Sequence, residues 1–131
     1  MKKPTKKLKF AKPKKVKVST LKRKCDTLFG KLIRSRGHCE LKGMDSIACK
    51  GSLQTMHIIS RRYLKFRWDK IAVFCGCAAH HYFYTTHPEE WYSFMEKHYR
   101  KLWHMLLSER FEAKRINYEY LYETLKNSST V

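Results

Sequence analysis

The chain has 131 residues, enough for one modest hydrophobic core and not for two independent ones. Its 29 Lys and Arg stand against 11 Asp and Glu, and twelve of the basic residues fall between Lys2 and Lys24, where there is no acid, so a polyanion is the expected partner, DNA or RNA ahead of an anionic membrane. No run approaches 18 consecutive apolar residues and no apolar segment follows the charged N-terminal stretch, so neither a transmembrane helix nor a signal peptide is expected; five cysteines, an odd number, argue against a disulfide framework and for metal ligands or buried thiols.

Residues 1–20, with Pro4 and Pro13, keep neither a helical nor a strand period and read as a flexible basic arm whose Lys14, Lys15 and Lys17 would meet a polyanion's backbone. From Leu21 to Arg36 the apolar residues Cys25, Leu28, Phe29, Leu32 and Ile33 recur at helical spacing, and Gly37 follows as a left-handed cap. A helix is expected there, with Cys25 in its buried stripe. His38 to Ser52, punctuated by Gly43 and Gly51, is expected to be a loop. Leu53 to Ser60 reads as a strand and Ile71 to Phe74, between Asp69 and Gly76, as a second.

Ala78 to Thr85 reads as a short helix whose first turn carries His80 and His81. His87-Pro88-Glu89-Glu90 starts another, because Pro suits the first helical position and two acids suit the positive end of the dipole; it is expected to run through Trp91, Phe94, Met95, His98 and Leu102. A last helix, from about Arg110 to Lys126, carries Ile116, Tyr120, Leu121 and Leu125. The aromatics of these C-terminal helices suit core packing or a dimer face, which leaves monomer and homodimer both open.

A tetrahedral structural zinc takes four thiolate or imidazole ligands, and Cys39, Cys49, Cys77 and His80 supply that set. Cys77-x-x-His80 is a tight knuckle aided by Gly76, whereas the gap from Cys39 to Cys49 is wider than usual. Cys75 competes for the site but lies on the other side of a strand-like segment, beside Phe74, where it would face the core.

Leu53-Gln54-x-x-His57-Ile58-Ile59-Ser60-Arg61-Arg62-Tyr63, then Arg67-Trp68-Asp69, then Cys75-x-Cys77-x-x-His80-His81 together closely resemble the HNH endonucleases, in particular the small zinc-containing ones of phages. The resemblance implies an α+β, mainly helical fold: a ββα-metal core with a structural zinc, flanked by an N-terminal helix and C-terminal helices. The nuclease domain would span residues 21–108, behind the 1–20 arm, with a C-terminal helical extension at 109–131. It implies a metal-dependent DNA endonuclease or nickase acting in the cytoplasm, with DNA as partner and no membrane. His57 would be the general base, seconded by Arg61, and His81 would hold a catalytic Mg²⁺ or Mn²⁺. Thr85, one turn beyond His81, and His87, two residues later, are the further candidates for that ion. Arg61, Arg62, Lys65 and Arg67 would contact substrate phosphates.

The sequence departs from the family at Ala72, Met56 and Thr85, the last standing where many relatives have a further histidine. The family's middle Asn, which holds the loop that positions the base, falls at Ala72, so the orientation of His57 must come from elsewhere. The residue before the base, often a metal-ligating Asp or His, is Met56, whose thioether is a poor ligand for a hard cation. Asp69 is the nearest carboxylate in the motif, available to the ion or to cap the strand that follows. These departures define the alternative, a catalytically weak or inactive zinc-bound DNA-binding module; a basic protein that condenses nucleic acid is a third reading and needs no His57.

Overall fold

Two short strands organise the chain. In the computed structural model, which describes residues 16–128, β1 (Leu53–His57) pairs antiparallel with β2 (Val73–Cys77), Leu53 opposite Cys77 and His57 opposite Val73. All five residues of β2 are buried, so the strand carries no polar alternation. Phe74 joins a core with α2 (Ala78–Thr86), α3 (Pro88–His98) and α4 (Arg100–Glu109), in which Met56, Tyr84, Phe94, Met95, Trp103 and Leu106 are buried. Val73 and Cys75 join a second core with α1 (Val18–Arg34) and α5 (Tyr118–Asn127), built on Cys25, Phe29, Leu32, Ile33 and Leu125. The result is an α+β, mainly helical molecule with the small sheet between two helical layers.

The outer edge of β2 is covered by the loop between α1 and β1. The Glu40 N–H donates to Cys75 O and Glu40 Oε1 accepts from Cys75 N, both at 2.8 Å, while Arg36 ties Glu40 to the carbonyls of Val73 and Lys70. Among the described residues the outer edge of β1 has no such cover, and a cleft runs along it.

Several boundaries differ from those expected. The helix α1 begins at Val18, inside the expected arm, because Leu21 extends its buried stripe and the Lys17 carbonyl accepts from Thr20 and Leu21. Lys14 and Lys15 lie outside the described residues, and Lys17 is the exposed residue before the first turn. Gly37 does take the left-handed conformation, at φ +81°. The first strand stops at His57, and the Ile58 carbonyl that follows is taken by the Trp91 indole at 2.9 Å. The second starts at Val73 rather than Ile71, since Lys70–Ala72 winds one 3-10 turn capped by the Asp69 carboxylate on Ile71 N. It continues through Gly76, where a Cβ would sit 2.1 Å from Met56 Sδ; Met56 therefore lies over the glycine as packing.

The long helix expected after Pro88 is two. Tyr99 leaves helical dihedrals (φ −140°, ψ 42°) and sets its ring against Phe74, 5.0 Å between centroids. The last helix begins at Tyr118, not Arg110, with Asn117 Oδ1 capping Tyr120 N at 3.0 Å. Its Leu125 is buried against α1, so the segment after residue 109 completes the second core instead of extending from it. Among the described residues no helix is long and apolar enough to cross a membrane.

Candidate metal centre and the cleft beside it

Four ligand atoms meet where the 38–52 loop, the end of β2 and the start of α2 converge. Those of Cys39, Cys49, Cys77 and His80 all lie within 4.8 Å of one another. His80 Nδ1 is 3.1 Å from Cys77 Sγ, 3.6 Å from Cys39 Sγ and 3.7 Å from Cys49 Sγ. A tetrahedral zinc with ordinary Zn–S and Zn–N bonds needs a sulfur-to-nitrogen edge of about 3.6 Å, so the Cys39 and Cys49 edges already stand at the spacing the ion requires and the Cys77 edge is shorter. Cys77 is the N-cap of α2, its sulfur accepting from His80 N, and Lys50 O and Ser52 O accept from Ala79 N and Ala78 N. Between those two carbonyls Gly51 has φ +85°, and a Cβ there would fall 2.6 Å from Ala78 Cβ, so the loop docks on α2 only with glycine at this position.

The electrostatics suit a cation. Desolvation raises the Cys77 thiol, but hydrogen bonds from the His80 backbone and ring and from the Lys50 backbone bring it down to about 6. Loss of water around its sulfur, then hydrogen bonds with Cys39 and Cys77, push the exposed Cys49 thiol up to about 11. A divalent cation that displaced these protons would relieve the crowding of the three sulfurs.

Asp45, which no sequence motif singles out, completes the centre. Its Oδ1 accepts from His80 Nε2 at 2.8 Å and from Ile47 N at 3.0 Å, and its Oδ2 accepts from the Tyr84 hydroxyl at 2.5 Å. Carboxylate on Nε2–H leaves Nδ1 facing the sulfurs, a donor to Cys77 Sγ while it carries a proton and a ligand once a metal displaces that proton, the usual outer-shell arrangement of a ligating histidine. A zinc-type histidine needs an acceptor on its second nitrogen, so an acid in the loop between the two cysteines was the available signal.

The cleft along β1 has a volume of about 730 Å³ and is lined by His57, Arg61, His81 and Thr85, together with Asp26, Gly30 and Arg34 of α1. The two histidines reach it from opposite faces of the strand. His57 lies near Phe29 of α1, 6.2 Å between centroids, and its Nε2–H donates to Arg67 O at 2.9 Å, which leaves Nδ1 as the ring's lone-pair nitrogen. His81 Nδ1–H donates to Gln54 Oε1 at 2.6 Å, which leaves Nε2 free. Gln54 is a further partner whose role only the fold displays. Burial, aided by the Arg61 and Arg67 charges, holds His57 below its ordinary 6.5, and burial alone does the same for His81. Both rings are therefore neutral at pH 7.

Of the residues expected to hold the catalytic ion, His81 and Thr85 share the cleft, and His87 does not. The helix α2 ends at Thr86, and His87 stacks on Phe83 at 4.3 Å with Nδ1 hydrogen-bonded to Phe83 O, away from the cleft. Asp69 is spent on its cap. Of the expected phosphate contacts, Arg61 is exposed at the cleft and Arg62 is exposed beside Tyr63. Lys65 is tied to Glu109 at 2.5 Å and to Glu112, and Arg67 is clamped by Asp26, so neither is a free cation. Arg34 is the cleft cation that the sequence did not single out.

No protein-family model matches the chain, and no curated protein or solved structure matches it. The fold and the site define a small α+β protein with a Cys3His group that could hold a metal such as zinc.

Proposed function

We propose that the protein is a metal-dependent DNA endonuclease or nickase of HNH type, built on a ββα-metal core around β1, β2 and α2, with a structural zinc in the Cys3His group. The observation that carries the reading is the pair of neutral histidines open to one cleft in opposite tautomers, His57 with Nδ1 free and His81 with Nε2 free. His57 Nδ1 takes a proton from a water directed at the scissile phosphorus, a role typically worth about 10² to 10⁴ in rate. Arg61 and Arg34 at the rim offer planar, bidentate donors to the phosphate oxygens on either side.

His81 Nε2 and the Thr85 hydroxyl are the donors for a second cation, with Met56 committed to packing and Asp26 to hydrogen bonds. Such a donor set fits an ion that keeps most of its waters and meets the substrate's own phosphate oxygens. A divalent ion there, Mg²⁺ or Mn²⁺, supplies Lewis-acid stabilisation of the leaving oxygen. The thinness of that shell supports one second reading, a zinc-bound module that binds DNA and turns it over weakly or not at all.

Supercoiled plasmid separates the two. The wild type should produce relaxed or linear DNA with Mg²⁺ or Mn²⁺, and His57→Ala should lose about 10² to 10⁴ of the rate. DNA binding that persists with neither product, under any divalent ion, ends the nuclease reading and leaves the binding module.

A further inference from the structure

The segment that orients His57 is itself held from across the cleft. Arg67, whose carbonyl accepts from His57 Nε2–H at 2.9 Å, sits in the succession of turns between the strands, where its own N–H makes only a long 3.4 Å bond to Leu64 O. Its side chain, by contrast, grips α1: Nε is 3.1 Å from Asp26 Oδ1 and Nη2 is 2.6 Å from Asp26 Oδ2. The next residue does the same, Trp68 Nε1 donating to Asp26 Oδ1 at 2.9 Å, and Arg61 Nη1 stands 3.7 Å from Oδ2. The Trp68 ring also meets Tyr118 of α5 edge-on at 5.5 Å. Ala72, the position from which a side-chain amide would have been expected to brace this loop, is a buried methyl with nothing to donate.

We infer that Asp26 is the positioning residue of the cleft, fixing Arg67 and Trp68 so that the Arg67 carbonyl holds the Nε2–H tautomer of His57 and leaves Nδ1 as the base. The inference rests on the reading of His57 as base, and it gives a carboxylate inside a cationic cleft a purpose other than catalysis. Both Asp26 oxygens accept hydrogen bonds from two consecutive side chains of one segment, which commits the carboxylate to holding that segment. A bidentate arginine pair is also the directional kind of contact, suited to setting a loop's position rather than just its charge. A carbonyl displaced by even 1 Å would release His57 to its other tautomer, a misplacement able to cost about 10² in rate.

The test uses the full-length, metal-loaded protein with Asp26→Ala, Arg67→Met and the double variant. Arg67→Met keeps the backbone carbonyl and removes the clamp together with its charge. Expected for each single variant are an unchanged metal content, a kcat on plasmid reduced about 10²-fold, and a KM for DNA unchanged or lower, since no cation that meets the phosphates is lost. The ¹⁵N spectrum of the His57 ring should pass from the Nε2–H tautomer to a mixture. The double variant should fall no further than either single one, because both break the same contact. A His57 tautomer and kcat both unmoved in Asp26→Ala, or losses that add in full, overturn the inference. If the wild type cuts nothing, the ring spectrum still decides the role of Asp26, and it is the hydrolytic reading that fails. Should Asp26→Ala not fold, Asp26→Asn and Arg67→Met carry the same comparison.

Discussion

Removing the Asp45 carboxylate should weaken the metal centre without emptying it. Asp45→Ala deletes the acceptor of His80 Nε2–H and of the Tyr84 hydroxyl, contacts of 2.8 and 2.5 Å made by a side chain that is 13% exposed. The two losses fall on different quantities. The Tyr84 hydroxyl is stranded whether or not metal is bound, in a residue only 7% exposed, so its cost of about 1 to 3 kcal/mol is taken from folding stability. The His80 bond acts on the ligand itself. A hydrogen bond to a charged group contributes about 1.5 to 3 kcal/mol, which corresponds to a 10- to 100-fold loss of zinc affinity, the range expected when an outer-shell carboxylate is removed. Competition against a chromophoric chelator, at one fixed pH because metal displaces ligand protons, measures it. Asp45→Asn keeps an acceptor for His80 and should lose less than tenfold, while Tyr84→Phe should lower stability and leave affinity alone. An Asp45→Ala protein that binds zinc within twofold of wild type would refute the outer-shell role, and with it the assignment of Nδ1 as the ligating atom.

Gly51→Ala combines a positive φ of 85° with a Cβ 2.6 Å from Ala78 Cβ, whereas Gly43→Ala meets a similar φ of 78° with nothing within 4 Å. Denaturant unfolding of the metal-loaded proteins should show a loss of about 1 to 3 kcal/mol at Gly51 and clearly less at Gly43; equal losses would remove the steric part of the argument. Burial, aided by the Arg61 and Arg67 charges and opposed by Asp26 of α1, holds His57 below 6.5 in the fold, so the unfolded chain keeps its proton to higher pH than the folded one does. Its contribution to stability is therefore complete above pH 6.5 and is lost as pH falls through 6.5 towards the folded value. The difference in denaturant midpoint between wild type and His57→Gln should shrink on acidification, and single-turnover cleavage should be flat above pH 6.5; a rate still climbing tenfold from pH 7 to 8 excludes neutral His57 as the base.

The metal centre was legible because its ligands are chemically rare. Three thiols and an imidazole admit few alternative uses in a chain of this composition, and Cys77-x-x-His80 fixes half of the geometry within one helical turn. Carboxylates and amides carry no such signature. Asp45, Asp26 and Gln54 acquire their roles only from partners 27 to 42 residues away, which the fold alone selects. The same holds in reverse for Lys65 and Arg67, which read as free cations until Glu109, Glu112 and Asp26 are brought against them. Backbone boundaries failed where packing overrode propensity. Nothing at Tyr99 resembles a helix breaker, yet burying its ring against Phe74 ends one helix and starts another.

The short helix α2 links the two halves of the site. Consecutive residues on a helix project about 100° apart, so His80 can face the sulfurs while His81 faces the cleft. Tyr84, one turn further on, lines the cleft and donates its hydroxyl to Asp45, which in turn holds His80. A zinc ion bound by Cys39, Cys49, Cys77 and His80 would therefore set the height and rotation of α2 and, through them, the place where His81 Nε2 opens. The reverse dependence is weak, since His81 is braced by Gln54 of β1 and no buried contact of the core passes through its free nitrogen. Structural zinc supplies apparent binding energies of about 10 to 16 kcal/mol, ample to hold one nine-residue helix in register, whereas a cation held at His81 and Thr85 would add little to the fold. On the proposed reading the cleft would exchange its ion freely while the neighbouring centre kept its own.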